Sequence, residues 1–246
     1  MTAQTDMFDL QETAQVRAFS APTCCAKVRV LNLYAGIGGN RKLWDNVEVT
    51  AVEADEKIAD LYRTLYPDDQ VIVGDAHAYL RENLDRFDFV WASPPCQTHS
   101  RMARATRHSL KRYPDMRLYE EIIFLQTYAK GTWCVENVVP YYDPLIPGKR
   151  IGRHMFWTNF DFEAEDVKRP SGFINKCNLA GKLAMQNWLG IHYEENIYYG
   201  SNHCPAQILR NCVHPKLGLQ IFNAGTGRIS TNETRRDSAG LDGGAC

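Results

Sequence analysis

The sequence predicts an α/β fold built around a parallel, doubly wound sheet. Short apolar segments alternate with amphipathic segments of helical spacing, which is typical of strands joined by crossover helices. Chemically distinctive residues directly follow the predicted strands, as they do in ligand-binding sheets of this class. The length of 246 residues, with 44% hydrophobic and 23% charged residues, suits one such domain with a small appendage.

The first half of the chain has short runs of apolar and β-branched residues that predict strands at 27–33, 47–52, 70–73, 87–91 and 132–135. Helices are expected between them, and Asp55 stands where it would cap the second one. The predicted helices run from the glycine turn at 36–39 to about residue 45, from 55 through 66, over 76–84 and over 118–129.

From residue 141 onward the pattern is less regular, with a strand predicted at 154–157, a short helix at 183–190 and a last helix at 215–222. We therefore expect five parts in the chain. They are an N-terminal arm (1–26), a main ligand-binding domain (27–162), a polar segment (163–182), a part that returns to the main domain (183–223) and a disordered tail (224–246).

Charge and composition argue against several classes of protein. The net charge of −1 disfavours nucleic-acid binding through overall charge, although a local basic patch remains compatible with it. No run of about 18 apolar residues occurs, so a membrane-spanning helix is not expected. The polar N-terminus is unlike a signal peptide. Eight cysteines without a secretory signal predict reduced thiols and a cytoplasmic location.

The turn after the first strand, Gly36-x-Gly38-Gly39, is typical of nucleotide-binding loops, because glycine lets the backbone approach a ligand closely. Glu53 ends the second strand, where an acid receives ribose hydroxyls. Asp75 follows the third strand and would suit an adenine amino group. Either acid alone is equally compatible with a helix cap or a surface charge. Together they predict an adenosine-containing cofactor, and the lack of a Lys-Ser/Thr pair argues against a nucleoside triphosphate.

A cysteine directly follows two prolines after the fourth strand, in Pro94-Pro95-Cys96-Gln97. Proline fixes φ and removes a backbone donor, so the turn holds the thiol in a defined direction at the ligand-binding edge. Glu136 follows the neighbouring strand, so a carboxylic acid would lie beside a nucleophilic thiolate. A structural cysteine is one alternative. A cysteine protease with His99 or His154 as base is another, but it leaves the glycine turn and the acids unexplained.

A basic patch follows this turn. Arg101, Arg104, Arg107 and Lys111 recur at steps of three and four residues, so a helix would align them on one face. Such a face is either a solvated helix surface or a contact for nucleic-acid phosphates.

The order and rough spacing of these motifs resemble the DNA (cytosine-5) methyltransferases. The resemblance rests on Tyr34-Ala35-Gly36-Ile37-Gly38-Gly39, Glu53, Gly74-Asp75, Pro94-Pro95-Cys96-Gln97 and Glu136-Asn137-Val138. It continues with residues 184–190, which are similar to a degenerate form of the family's late Gln-Gly-Phe-Pro segment, and with 208–215, which are similar to its closing segment. The Pro-Cys-Gln and Glu-Asn-Val pair, 40 residues apart (136 − 96), is its most specific part.

The resemblance implies a Rossmann-like enzyme that transfers a methyl group from S-adenosylmethionine to carbon 5 of a cytosine flipped out of double-stranded DNA. Cys96 would attack carbon 6, Glu136 would hydrogen-bond ring nitrogen 3 and Arg153 would contact the cytosine oxygen, while Asn137 would brace the Pro-Cys turn. The implied cofactor-binding residues are Tyr34, Ala35, Gly36, Ile37, Gly38, Gly39, Glu53, Ala54, Asp75, Ala76, Pro95, Asn211 and Val213. The implied DNA contacts are Gln97, Arg101, Arg104, Arg107 and Lys111.

The chain departs from the family pattern mainly where DNA sequence would be read. Residues 163–182 leave room only for a minimal target-recognition segment, and Arg-rich sequence replaces the glycines that normally follow Pro-Cys-Gln. Recognition would therefore be short, relaxed or assisted by a partner protein. Two alternatives stay open: the same chemistry on RNA, and a catalytically weak, cofactor-binding regulatory protein.

We expect a monomer that associates with the nucleoid by binding DNA. Roles as a restriction partner, in self-protection or in epigenetic marking are all compatible with the sequence. No metal site is expected, because the spacing of His203, Cys204, Cys212 and His214 matches no common four-ligand pattern.

Overall fold

The computed structural model describes residues 26–101, 113–170, 172, 177–198 and 203–228, and the structural statements below concern these residues. They form a seven-stranded sheet of order β3-β2-β1-β4-β5-β7-β6. The strands are β1 (Val28–Leu33), β2 (Val47–Glu53), β3 (Gln70–Val73), β4 (Phe89–Ala92), β5 (Thr132–Val138), β6 (Lys149–Ile151) and β7 (His154–Thr158). Strands β1 to β5 pair in parallel, whereas β7 is antiparallel to both β5 and β6.

Helices join the parallel strands and cover the sheet. They are α1 (Glu56–Leu65), α2 (Ala76–Asn83), α3 (Arg117–Tyr128), α4 (Leu179–Leu189), α5 (Gln207–Arg210) and α6 (Pro215–Thr226). As predicted, Asp55 caps α1, since its carboxylate accepts hydrogen bonds from the amides of Lys57 and Ile58. The predicted fold class, a doubly wound α/β sheet, is confirmed.

Strands β1, β2, β4, β5 and β7 bury consecutive side chains, which point alternately to the two faces of the sheet, whereas the edge strands β3 and β6 contain no buried residue. On one face, Leu31 and Leu33 pack with the apolar sides of α2 and α3. On the other face, Val30 packs with α6 and with the aromatic pair Trp44 and Phe222, whose rings stack at a centroid distance of 4.9 Å. The sheet is therefore covered on both sides, as a parallel sheet requires.

The prediction of a helix between the glycine turn and residue 45 is wrong. The chain forms only a short 3-10 helix, Arg41–Leu43, after which Trp44 is extended with φ −75° and ψ 127°. Trp44 is 4% exposed and lies among Phe89, Trp91 and Phe222. Burial of this large ring outweighs the modest local preference for a helix.

Strand β5 is longer than the sequence predicts, and β6 was not predicted. β5 continues past residue 135 because antiparallel pairing with β7 joins Glu136 to Phe156 and Val138 to His154. Glu136 and Asn137 are therefore strand residues with a fixed register, not members of a loop.

The structure also differs from the expectation of reduced thiols. Cys177 and Cys204 form a disulfide whose Cα atoms are 5.1 Å apart, which joins the segment before α4 to the segment before α5. Cys96, Cys134 and Cys212 are free. The predicted arm lies outside the described residues up to residue 25, and the predicted tail does so from residue 229. The start of the tail at residue 224 is wrong, because α6 continues to Thr226 and is capped by Gly227. No helix within the described ranges is long and apolar enough to cross a bilayer.

Lys182 on α4 holds the loop that follows this helix. Its ammonium group donates to the carbonyl oxygens of Glu194 at 2.8 Å and Glu195 at 2.6 Å, and to Asn196 Oδ1 at 3.2 Å. Lys182 is 5% exposed, so the loss of its ammonium group would leave these acceptors without that donor in a nearly dry environment.

Lys182→Met should therefore lower the free energy of unfolding by about 2–3 kcal/mol, measured by urea denaturation. The control is Lys57→Met on the exposed side of α1, which should change stability by less than about 0.5 kcal/mol. Equal effects of the two substitutions would contradict a structural role for the Lys182 hydrogen bonds.

Candidate active site

The candidate site lies where the strand order reverses between β1 and β4. The neighbours β2 and β3 lie on one side of β1, and β4 and β5 continue on the other. The connections therefore leave the carboxyl ends of β1 and β4 in opposite directions and open a crevice. A cavity of about 430 Å³ lies at this edge.

The cavity brings together most of the predicted site residues. It is lined by Tyr34, Ala35, Gly36, Ile37, Gly39, Glu53, Ala54, Asp75, Ala76, Pro95, Cys96, Gln97, Glu136, Asn137, Arg153, Asn211 and Val213. Asp115, Arg117 and Ile208 also line it and were not predicted. Arg101 is exposed, whereas the predicted contacts Arg104, Arg107 and Lys111 lie outside the described residues.

Glu53 fixes the conformation of the glycine turn. Its Oε2 accepts a hydrogen bond from the Gly36 amide at 2.9 Å, and its Oε1 accepts from the amides of Ala54 at 2.8 Å and Asp55 at 3.0 Å. Gly36 has φ +55°, and no atom lies within 4 Å of the position that a Cβ would take there. The turn is thus held from behind by a carboxylate, while the space above Gly36 is open to a ligand.

The other two glycines of the turn serve packing. A Cβ on Gly38, whose φ is +69°, would lie 2.4 Å from the Tyr66 ring, so this glycine faces α1. A Cβ on Gly39 would lie 2.6 Å from Cys212 Cβ. Close contact at Gly39 therefore lets the closing segment, residues 208–215, dock against the turn.

Asp75 caps α2, because its Oδ1 accepts from the Ala78 amide at 3.0 Å. This hydrogen bond is the main reason why the pKa of Asp75 is lowered. The carboxylate also lines the cavity. Capping and ligand binding are compatible, because a carboxylate has further acceptor positions.

The turn that carries Cys96 is held by hydrogen bonds on both sides of the thiol. Asn137 Nδ2 donates to the Pro94 carbonyl at 2.9 Å. The amides of His99 and Ser100 donate to the Cys96 carbonyl at 3.1 and 3.0 Å. Asn137 thus lies where it can brace the Pro-Cys turn against β5.

Burial raises the pKa of the Cys96 thiol above its usual value. The negative charge of Glu136 raises this pKa further, whereas the guanidinium of Arg153 lowers it. The resting site therefore holds a neutral thiol whose ionisation is opposed by one neighbour and favoured by another.

The two histidines considered as the base of a cysteine protease both have other partners. His99 Nδ1 lies 2.6 Å from the Tyr142 hydroxyl, and burial lowers the pKa of His99. His154 contacts Glu136 and Arg153. This arrangement does not favour a Cys-His pair.

Arg153 connects the cavity at the edge of the sheet to the closing segment. Its Nη2 donates to the carbonyl oxygens of Arg210 at 2.7 Å and Cys212 at 3.1 Å. Arg150, the middle residue of β6, is exposed, and its Nε donates to the Gly152 carbonyl at 3.1 Å. Arg153 is thus the arginine of this hairpin that lines the cavity.

Three of the four residues considered for a metal have other partners, and the fourth, His203, is exposed. Cys204 is in the disulfide, and Cys212 packs against Gly39. His214 caps α6 by accepting from the Lys216 amide at 3.1 Å, and its Nε2 lies 3.0 Å from the Trp188 carbonyl.

A buried acid beside the cavity was missed by the sequence analysis. Glu121 on α3 is 0% exposed. Its carboxylate accepts from the Tyr34 hydroxyl and lies 3.4 Å from His77 Nδ1. Tyr34 itself has φ +54°. The signal was present in the sequence, because Glu121 occupies a position on the apolar face that α3 forms with Leu118 and Leu125.

Burial raises the pKa of Glu121 to about 7, although Tyr34 and His77 favour its ionised form. In the unfolded chain the carboxyl has a pKa near its usual value of 4.5. Between these values, ionisation therefore favours the unfolded state. The contribution of the protonated carboxyl to stability is complete below about pH 4.5 and is lost as the pH rises through about 7.

Glu121→Gln should remove this dependence. Relative to the variant, the wild type should lose about 2–3 kcal/mol of unfolding free energy between pH 5 and pH 8. Urea denaturation at intervals of one pH unit measures the difference. Glu82→Gln, at an exposed position of α2, is the control and should give a nearly constant difference. A constant difference for Glu121→Gln as well would contradict the raised pKa.

The charges around Cys96 predict opposite effects on its alkylation. Glu136→Gln should speed the reaction with iodoacetamide at pH 8, and Arg153→Met should slow it. A shift of about half a pKa unit changes the thiolate population about threefold. Mass spectrometry of the Cys96 peptide gives the rate, with Glu48→Gln at an exposed position of β2 as the neutral control. Rate changes in the same direction for the two site variants would refute this electrostatic account.

Comparison with known proteins agrees with this geometry. Residues 28–138, a little under half of the chain, match the family described as C-5 cytosine-specific DNA methylase. The resemblance seen in the sequence is thereby confirmed over this segment, and it supports methyltransferase chemistry. No curated protein matches the chain in sequence.

Several solved structures are similar over about half of this chain. A hypothetical protein of Thermus thermophilus has a TM-score of 0.38 and 18% identity, covering 54% of this chain and 74% of its own. A mutant of Spodoptera frugiperda DNMT2 has a TM-score of 0.34 and 21% identity, covering 46% and 36%. A SAM-dependent methyltransferase of Agrobacterium tumefaciens has a TM-score of 0.34 and 15% identity, covering 49% and 41%.

Proposed function

We propose that this protein is a DNA (cytosine-5) methyltransferase that uses S-adenosylmethionine. The observation that carries the proposal is the presence of Cys96, Glu136 and Arg153 in the same cavity as the glycine turn, Glu53 and Asp75. A nucleophile with an acid beside it suits addition to a pyrimidine ring, and the turn with its acids suits an adenosine. The family match over residues 28–138 supports the same assignment.

The residues of the cavity fit the cofactor. A volume of about 430 Å³ is in the range of small-molecule sites. The open space above Gly36 allows a ligand to approach the backbone, and Glu53 and Asp75 offer acceptors for ribose hydroxyls and an adenine amino group. When bound, S-adenosylmethionine would supply the methyl group.

The protein's own residues would prepare the cytosine for methylation. The Cys96 thiol would release its proton to water, and the thiolate would form a bond from Sγ to carbon 6, which makes carbon 5 nucleophilic. Glu136 would donate a proton to ring nitrogen 3, where electron density collects. After methylation, carbon 5 would lose its proton to water, nitrogen 3 would return its proton to Glu136 and Cys96 would leave as the thiolate, which restores the ring double bond. Asn137 would keep Pro94, and with it the thiol, in place.

The target base would be flipped out of the duplex, because these ring atoms are inaccessible within stacked DNA. Arg101 and the basic residues that follow it would contact phosphates. Residues 163–182 would form the minimal target-recognition segment. The described part of this segment lies against the part of the chain that returns to the main domain, since the Glu165 amide donates to Gln220 Oε1 at 2.9 Å and Trp188 Nε1 donates to the Lys168 carbonyl at 3.0 Å.

The proposal predicts transfer of labelled methyl from S-adenosylmethionine to duplex DNA. Cys96→Ala should lower the rate at least about a thousandfold, and Glu136→Gln about a hundredfold, because these groups act on the ring directly. Arg153→Gln should lower it as well, whereas Arg150→Gln, at the exposed position of the same hairpin, should have little effect. DNA that contains 5-fluorocytosine should trap a denaturant-stable adduct with wild type but not with Cys96→Ala.

The same assay separates the alternatives. Label in RNA but not in DNA would move the proposal to an RNA cytosine-5 methyltransferase. Cofactor binding without transfer to any polymer would favour a regulatory protein. Label in DNA that persists in Cys96→Ala would refute the covalent route.

A further inference from the structure

His154, the first residue of β7, lies between the two charged groups of the candidate catalytic edge. Its Nδ1 is 2.5 Å from Glu136 Oε1, and its Nε2 is 3.1 Å from Arg153 Nε. His154 and Glu136 are each 6% exposed. The sequence analysis considered this histidine only as a protease base.

The register of the sheet explains why the imidazole reaches the carboxylate. His154 pairs with Val138, and Glu136 pairs with Phe156 two positions away. Residues two apart on a strand share one face, so His154 and Glu136 are diagonal neighbours on the same face. A long side chain spans that distance.

Arg153 determines which nitrogen of the imidazole carries the proton. A guanidinium donates hydrogen bonds and cannot accept them, so Nε2 must present its lone pair to Arg153 Nε. The one proton of a neutral imidazole then resides on Nδ1. Nδ1–H therefore donates to Glu136 Oε1, and that oxygen is engaged as an acceptor.

We propose that His154 is a positioning residue that reserves Glu136 Oε2 for the proton given to the substrate ring. This inference rests on the proposed function. With Oε1 accepting from Nδ1–H, Oε2 is the oxygen left to carry the proton that Glu136 delivers to the substrate ring. Arg153 in turn is anchored to the Arg210 and Cys212 carbonyls, so Arg153, His154 and Glu136 form one hydrogen-bonded chain from the closing segment to the reacting acid.

The same hydrogen bond would stabilise the charge that the reaction creates. As the Sγ–C6 bond forms, an electron pair moves through the ring to nitrogen 3. The Oε2–H bond breaks and the proton passes to that nitrogen, which leaves a carboxylate on Glu136. The hydrogen bond from His154 then becomes charge-assisted and stronger. When Cys96 leaves, the proton returns from nitrogen 3 to Oε2.

Two amide substitutions give a matched test. The side-chain nitrogen of asparagine is as many bonds from Cβ as Nδ1, so His154→Asn can keep the donor to Glu136. The glutamine nitrogen corresponds to Nε2, so His154→Gln loses it. We expect kcat on duplex DNA to fall about thirtyfold in His154→Gln and less than about threefold in His154→Asn. KM for DNA and Kd for S-adenosylmethionine should stay within about threefold of wild type in both.

Exposed His192→Gln should leave kcat unchanged and controls for loss of a histidine as such. Cofactor binding by each variant shows that it has folded. An equal fall in kcat in both variants, or a change in KM alone, would overturn the proposal.

A second measurement does not depend on activity. Nitrogen-15 chemical shifts of the His154 ring in the wild-type protein should show a protonated Nδ1 and an unprotonated Nε2, with the Nδ1–H signal shifted upfield on Glu136→Ala. A ring protonated at Nε2 would overturn the inference. If wild type methylates no polymer, the proposed function fails while this measurement still decides whether His154 holds Glu136.

Discussion

β1 pairs in parallel with β2 on one side and with β4 on the other. The loops that follow β1 and β4 therefore begin at adjacent strand ends. This pairing places the glycine turn beside the Pro-Cys turn, although 57 residues separate Gly39 from Cys96 (96 − 39). β5 then adds Glu136 to the same edge by pairing with β4. The candidate site therefore needs no long loop to bring its chemistry together, because strand order alone makes its residues neighbours.

The candidate site also depends on the return of the C-terminal part of the chain to this edge of the sheet. Gly39 and Gly218 permit this return, since a Cβ on Gly218 would lie 2.5 Å from the Asn40 carbonyl oxygen. Arg153 then ties the closing segment to the β6–β7 hairpin through two carbonyl groups. These contacts join parts of the chain that are far apart in sequence, and they bring the closing segment, whose Asn211 and Val213 line the cavity, to its place.

The sequence predicted the first five strands well, because each is a short apolar run between polar turns. It also identified most residues that line the cavity, since strand ends in a parallel sheet share an edge. It failed where tertiary packing decides: Trp44 ends the expected helix, and pairing with β7 extends β5 past residue 135. The roles of His154 and Glu121 depend on antiparallel register and on helix packing, neither of which is visible in a single sequence.

The electrostatics of the site suggest why catalysis would wait for a substrate. Burial and Glu136 raise the pKa of Cys96, and among the charged side chains of the described residues Arg153 opposes them. Arg153 is held in place by its hydrogen bonds to His154 and to the closing segment. A neutral resting thiol reacts slowly with stray electrophiles, because the thiolate is the nucleophile. A flipped base would accept electron density from sulfur and a proton from Glu136. Reaction with the base would therefore favour ionisation of Cys96, which the charges of the resting site oppose. With the short recognition segment proposed above, selectivity would then come partly from the reaction itself.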